Sequence, residues 1–127
     1  MGLKSNARMI ERVFMFVAQA GEMRTDLIHQ HYTNTYGNAP RLANMTQALL
    51  ASGLFKRVGW YDRTDGVMFP TSQSSKDLGL NSQRWVCVVN VRPLEEVIDT
   101  YLSGKKTLRR LDKMPAFVRN AVKEASR

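Results

Sequence analysis

The residues that could do catalytic or metal chemistry are few, and their spacing suits neither purpose. His29 and His31 are two residues apart, so on one helix they point to different faces, whereas a zinc helix spaces its histidines by four. Glu95 and Asp99 share a helix face, which is typical of a solvated surface. Residues 104–107 resemble the end of a phosphate loop, but Asp99 stands where that motif needs its first glycine. We therefore expect no enzyme activity, no cofactor and no metal site.

The one cysteine and the hydropathy pattern favour a cytoplasmic protein. Cys87 has no second cysteine with which to form an internal disulfide, and it lies in an apolar run at 85–89, so we expect a buried thiol in a reducing compartment. No apolar run approaches the roughly 18 residues of a membrane span. Residues 1–6 also lack the apolar stretch of a secretory signal. The sequence therefore predicts no membrane partner.

A large excess of positive charge indicates a polyanionic partner. The 127 residues include 19 Lys and Arg against 11 Asp and Glu, for a net charge of +8, and nucleic acid is the commonest partner of such proteins. Residues 104–127 alone carry eight of these cations and two of the acids. This segment is either a solvated surface or a basic arm that contacts phosphates. The residues of the predicted arm are Lys105, Lys106, Arg109, Arg110 and Lys113.

The hydropathy period predicts three helices in the first half of the chain. Apolar residues at helical spacing mark a helix over 6–20, which Gly21 ends. A shorter helix begins at about Thr25, and we expect the polar stretch 33–38 to be a loop. A third helix extends from position 39 or 40 to Ser52, with a proline in its first turn.

The period then changes to that of strands. The pattern predicts a hairpin from strands at 54–61 and 67–69, joined by a charged turn at 62–66. Residues 71–76 have the composition of a linker. Beyond them we expect a strand at 85–91 and a helix from about position 93 to 102, followed by one or two short helices. The apolar stripe of that helix either packs within the chain or forms a dimer seam; its members are Leu94, Val97, Ile98, Tyr101 and Leu102.

This order of elements over residues 6–71 resembles the winged helix-turn-helix domain of DNA-binding proteins. The most specific stretch is 45–58, in which two leucines, a small-Gly-Leu step and a strand end the third helix. The resemblance implies that the third helix enters the major groove, where its side chains read base edges. It also implies that the hairpin is the wing, and that cations of the wing and first helix reach phosphates. The implied base-reading residues are Arg41, Asn44 and Gln47, and the implied backbone contacts are Arg8, Arg12, Lys56, Arg57 and Arg63. The loop between helices two and three, at about eight residues, departs from a tight helix-turn-helix turn.

The sequence thus predicts an α+β, mostly helical fold: a winged helix-turn-helix domain at 6–71 and a C-terminal strand with a basic helical extension at 77–127. We expect sequence-specific binding of double-stranded DNA by a small homodimeric transcriptional regulator, such as a repressor that occupies an operator. One alternative is a winged-helix module that docks on a protein partner in a replication, plasmid or phage system. Another is RNA binding through the basic arm.

Overall fold

The helices of this protein pack around a single sheet. The computed structural model describes residues 3–104 and 111–126. These residues form an α+β fold with six α-helices and a four-stranded antiparallel sheet. The helices are α1 (Leu3–Ala20), α2 (Thr25–Tyr36), α3 (Leu42–Ala51), α4 (Ser75–Leu78), α5 (Leu94–Leu102) and α6 (Ala116–Ala125), with a 3-10 turn at Leu111–Lys113. The strands are β1 (Met23–Arg24), β2 (Phe55–Asp62), β3 (Val67–Pro70) and β4 (Trp85–Val91).

Helix α1 has the predicted buried stripe and supplies one wall of the core. Met9, Ile10, Val13 and Val17 are each at most 3% exposed, as the helical spacing of these apolar residues requires. The helix begins three residues earlier than predicted, at Leu3, and Gly21 ends it with a positive φ of 89°. Its amide donates to the Val17 carbonyl at 2.8 Å, which completes the helix end.

Helices α2 and α3 lie closer in sequence than predicted. Residues 33–36 were predicted to be loop, but they extend α2, where the Thr33 hydroxyl donates to the His29 carbonyl at 2.8 Å. Helix α3 begins at Leu42 rather than at 39 or 40, because a residue before proline disfavours helical geometry and Arg41 is also extended. The connection is therefore residues 37–41, five residues long, and the prediction of about eight was wrong.

Strand β4 occupies the centre of the sheet, whose order is β1-β4-β2-β3. It pairs antiparallel with β2 from Phe55–Val91 to Asp62–Trp85, and with β1 at Met23–Val89. The bounds of β4 match the prediction of a strand at 85–91. The predicted boundary between two domains, at 71–77, lies instead between two strands of the same sheet. The physical reason is burial: residues 86–89 are each at most 4% exposed, which requires neighbours on both edges and both faces.

The segment predicted to be a linker is tied to the sheet. At its end the Ser74 hydroxyl accepts the Asp77 amide at 3.2 Å and caps α4, as serine commonly does. The Trp60 indole N–H donates to the Gln73 carbonyl at 2.9 Å, and Arg57 donates to the Ser72 carbonyl at 3.2 Å. Composition alone suggested a linker, but these long-range bonds fix the segment against β2.

The C-terminal elements complete the core. Val97 of α5 is fully buried, and Ile98 and Tyr101 pack against the core. Val118 and Val122 of α6 are also buried. Of the two alternatives for the α5 stripe, the structure shows packing within the chain, which leaves Leu102 51% exposed. Across the described residues, no helix is both long and apolar enough to cross a membrane.

A buried carboxylate joins the end of β2 to the start of β4. Asp62 is 2% exposed and accepts two hydrogen bonds from the Arg84 guanidinium, at 2.9 and 2.8 Å. It also accepts the backbone amides of Thr64 and Asp65, at 2.9 and 3.3 Å. The Arg84 hydrogen bonds are the largest reason that the pKa of Asp62 is lowered from 3.8 to about 2. Four donors on one carboxylate thus stabilise its ionised form.

We expect Asp62→Asn to lower the melting temperature at neutral pH and to matter less in acid. Since the folded-state pKa lies below the ordinary value, the ionised carboxylate stabilises the fold above about pH 4 and loses this effect as the pH falls toward about 2. Thermal unfolding followed by circular dichroism across this range measures the difference. Asp99→Asn is the control, because that side chain is exposed on α5 and lies outside the Asp62–Arg84 cluster. A difference in melting temperature that stays constant in acid would contradict the prediction.

We also expect a fragment that ends at residue 71 not to fold. Such a fragment lacks β4, so β1 and the inner edge of β2 lose their hydrogen-bond partner, and exposed strand edges with an uncovered apolar core are unstable. Amide chemical-shift dispersion of the fragment, compared with the whole chain, provides the test. A well-dispersed spectrum from the fragment would show that residues 6–71 are an independent domain.

Candidate nucleic-acid interface

Helix α3 presents one buried and one exposed face. Met45 and Leu49, four residues apart, are fully buried. Asn44 and Gln47, three residues apart and therefore neighbours on the surface, are exposed. At the end of the helix the Ser52 hydroxyl donates to the Leu49 carbonyl at 2.6 Å and accepts the Leu54 amide at 3.2 Å. These contacts fix the exposed amides relative to the sheet.

Arg41 lies at the start of α3 rather than on its body. Its backbone is extended, and its carbonyl accepts the Met45 amide at 2.8 Å. The side chain is exposed and contacts no carboxylate among the described residues. The preceding Pro40 carbonyl accepts a hydrogen bond from His29 Nε2 at 2.8 Å, which requires a proton on that nitrogen. His29 therefore holds the connection that places Arg41.

The two histidines have separate structural contacts in the fold. The His31 ring stacks on Phe16 with centroids 3.8 Å apart, while His29 bonds to the backbone of the α2–α3 connection. No group of three or more His, Cys, Asp or Glu side chains with metal-binding geometry occurs in the described part of the chain.

The two predicted phosphate contacts on β2 lie on opposite sides of the strand and differ in exposure. Lys56 is exposed, whereas Arg57 is half-buried, with its Cζ 5.2 Å from the centroid of the Trp60 ring. A bulge between Arg57 and Gly59 shifts the alternation of side chains, so Arg57 and Trp60 lie on the same side of the sheet and line one groove. Strict alternation would have placed them on opposite sides.

The side chains of the other predicted phosphate contacts differ in whether they already bind other groups of the protein. Arg8 is exposed. Arg12 donates to the Tyr32 hydroxyl at 3.2 Å and lies over the Tyr36 ring at 4.0 Å, so it links α1 to α2. Arg63 is 3.9 Å from the Asp26 carboxylate at the start of α2. In the predicted arm, Lys113 is exposed on the 3-10 turn, and the other members, Lys105, Lys106, Arg109 and Arg110, lie outside the described residues.

Helices α3 and α5 differ in their acidic side chains. Helix α3 contains none, whereas Glu95, Glu96 and Asp99 all belong to α5 and are exposed. Glu96 pairs with Arg92 at 2.8 Å. The exposed surface beside α3 is therefore compatible with a polyanion, while α5 is not.

A groove between α3 and the sheet was not predicted from the sequence. It has a volume of about 450 Å³, within the size range of small-molecule sites. The burial of Cys87 in its wall raises the pKa of that thiol, and the neighbouring Arg57 guanidinium opposes the shift. Among the residues that line the groove are Leu42, Thr46, Arg57, Trp60, Trp85 and Cys87. The bulge and the long-range pairing that assemble it leave no local sequence signal.

No protein-family model, curated protein or solved structure matches this chain. Its function must therefore follow from the chemistry of its own surface. The exposed amides of Asn44 and Gln47 can each offer a donor and an acceptor side by side. Exposed cations without a carboxylate partner among the described residues, such as Arg41 and Lys56, add charge that a phosphate can neutralise.

Proposed function

We propose that this protein is a winged helix-turn-helix protein that binds double-stranded DNA in a sequence-specific manner. The order α1, β1, α2, α3 and β2 supports this proposal, as does the five-residue connection between α2 and α3, which is shorter than the sequence suggested. The sequence predicted the β2–β3 hairpin as the wing, and these two strands do pair. Because β4 pairs with both β1 and β2, this proposal instead takes β2 and β4 as the wing, with β3 and α4 as an excursion between them.

The observation that carries the proposal is the exposed face of α3. Asn44 and Gln47 are neighbours on that face, the helix contains no acidic residue, and its opposite face is anchored by the fully buried Met45 and Leu49. Asn and Gln side chains can pair bidentately with adenine in the major groove. Arg41, at the helix start, has the side chain that best recognises guanine. A rigid helix that presents such groups suits direct readout.

Phosphate contacts in this proposal come from cations around α3. Lys56 and Arg8 are exposed, and the predicted arm at 105–113 adds further cations. Arg12, Arg57 and Arg63 have protein contacts in the structure, so we expect them to contribute less to phosphate binding. Affinity would then depend on residues other than those that select the sequence.

We further propose that the protein acts as a homodimer that occupies an operator and blocks access to it. Two copies of α3 would read two half-sites, which doubles the readout. Selection of bound sequences from a random duplex pool tests this directly, since a dimer is expected to select inverted repeats. Sedimentation of the complex gives the number of chains bound.

Asn44→Ala and Gln47→Ala should each reduce discrimination between the selected site and point variants of it by about 1–3 kcal/mol. Each change removes a side chain that pairs with a base edge, while Met45 and Leu49 still hold the helix. Matched controls are Asn120→Ala and Gln19→Ala, which are exposed on α6 and α1. Competition binding with fluorescent duplexes measures the ratios. Unchanged selectivity in both α3 variants would show that this face does not read DNA.

Lys56→Ala should weaken binding to all duplexes about equally and make the slope of log K against log salt shallower by about 0.9, because one phosphate contact is lost. Lys123→Ala, which removes an exposed cation from α6, is the matched control for net charge. Anisotropy titrations at several salt concentrations measure both quantities. Absence of affinity for any duplex at low salt would overturn the proposed function.

A protein-docking role is the second candidate, and exposed apolar side chains on β3 favour it. Val67 and Phe69 are 59% and 48% exposed, and β3 is an edge strand, which can pair with another chain. Ala43 and Ala51 also make the exposed face of α3 partly apolar. Capture of a partner that persists after nuclease treatment, in the absence of any duplex binding, would favour this alternative.

A further inference from the structure

The groove between α3 and the sheet has aromatic surface of a kind that recognises planar rings. Trp60 and Trp85 are the only tryptophans of the chain, and both line the groove. Trp60 is 7% exposed and has the Arg57 guanidinium 5.2 Å from its ring centroid, whereas Trp85 is partly exposed and offers the accessible aromatic surface. The Trp60 ring is held by the hydrogen bond from its indole N–H to the Gln73 carbonyl, so its position is fixed before a ligand binds. Flat, immobilised aromatic side chains stack on planar rings at little entropic cost.

The charge of the lining favours an anion. Two cations, Arg57 and Arg63, line the groove, and none of the described lining residues is acidic. Arg63 is already near Asp26, at 3.9 Å, so Arg57 is the freer of the two. A groove with cations and no carboxylate of its own is complementary to a negative ligand.

Arg57 has hydrogen-bonding capacity that the fold does not use. One of its terminal nitrogens donates to the Ser72 carbonyl, but its Nε is buried and has no partner among the described residues. A buried donor without a partner is unfavourable, and a carboxylate can accept two N–H groups of one guanidinium. A small rearrangement of the side chain toward a bound carboxylate would satisfy this donor.

We propose that this groove binds a small aromatic carboxylate, with its ring against Trp85, beside the edge of the buried Trp60, and its carboxylate on Arg57. The volume of about 450 Å³ accommodates one or two fused rings. Thr46 and Leu42 of α3 form the opposite wall, so the ligand contacts both the helix and the sheet. This inference goes beyond the proposed DNA binding, although Gln47, a proposed base-reading residue, also lines the groove.

The two tryptophans provide a direct readout. A ¹⁵N–¹H correlation spectrum of the whole protein contains two indole signals, and both should shift when 2-naphthoate is added. Calorimetry should give a Kd of about 1 mM or tighter for a ligand of this size. The neutral 2-naphthamide should bind at least about tenfold more weakly, because it lacks the charge-assisted hydrogen bonds. This comparison uses the unaltered chain.

A charge variant tests the role of Arg57. Arg57→Met should weaken 2-naphthoate binding by at least about tenfold, while Lys123→Met, a control on α6 outside the groove, should leave it unchanged. Retained dispersion of the indole signals shows that the variant is folded; if it is not, Arg57→Lys replaces it and should show a smaller loss.

Three results would overturn the proposal. The first is equal affinity for the acid and the amide, which would make the groove a neutral aromatic site. The second is the absence of any indole shift with 2-naphthoate. The third is binding of a nucleoside monophosphate in its place, which would assign the groove to nucleic acid rather than to a small carboxylate.

Discussion

Strand β4 can be buried on both faces only if it has a hydrogen-bonding partner on each edge, and this requirement organises the molecule. Residues 86–89 are apolar and nearly inaccessible to solvent. Buried backbone amides and carbonyls must be paired, so β1 on one side and β2 on the other are needed to complete them. Because β1 leads directly into α2, and β2 follows α3, the same pairing fixes the positions of both helices.

The groove is a consequence of how α3 and the sheet meet. A short, hydrogen-bonded step at Ser52 and Gly53 turns the chain from α3 into β2. The bulge before Gly59 then brings Arg57 and Trp60 to the same side. A side chain at Gly59 would clash, since a Cβ there would lie 2.7 Å from the Phe69 carbonyl oxygen. The tightly packed Gly59 therefore lies directly after the bulge, and the bulge is what places Arg57 and Trp60 together in the groove.

The sequence predicted elements better than their assembly. The stripe of α1 and the bounds of β4 were correct because strong local periodicity determines them. The end of α2 was missed because Thr33 satisfies its hydroxyl on the helix backbone, a contact that composition does not reveal. The position of β4 in the sheet could not be predicted, since pairing between distant strands depends on burial and not on local pattern.

In the candidate site, too, local features could be predicted from the sequence and long-range contacts could not. Helical spacing was enough to place Asn44 and Gln47 on the exposed face of α3. Alternation with the buried Phe55 puts Arg57 on the inner side of β2, and the bulge that follows Arg57 brings Trp60 to that same side. No local feature of the sequence announced the bulge. The long-range carbonyl partners of Arg57 and Trp60 lie in a segment whose composition suggested only a linker. Prediction succeeded for residues on one helix and failed where two distant segments meet.

Because β4 is central in the sheet but late in the sequence, its position affects the rate at which the chain can fold. Met23 pairs with Val89, so β1 cannot join the sheet until position 89 has been synthesised. Closing such a long loop costs entropy before any contact repays it, and non-local pairing slows folding. Helices α1 and α2 both pack against β4, so part of their apolar surface stays uncovered until that strand is made.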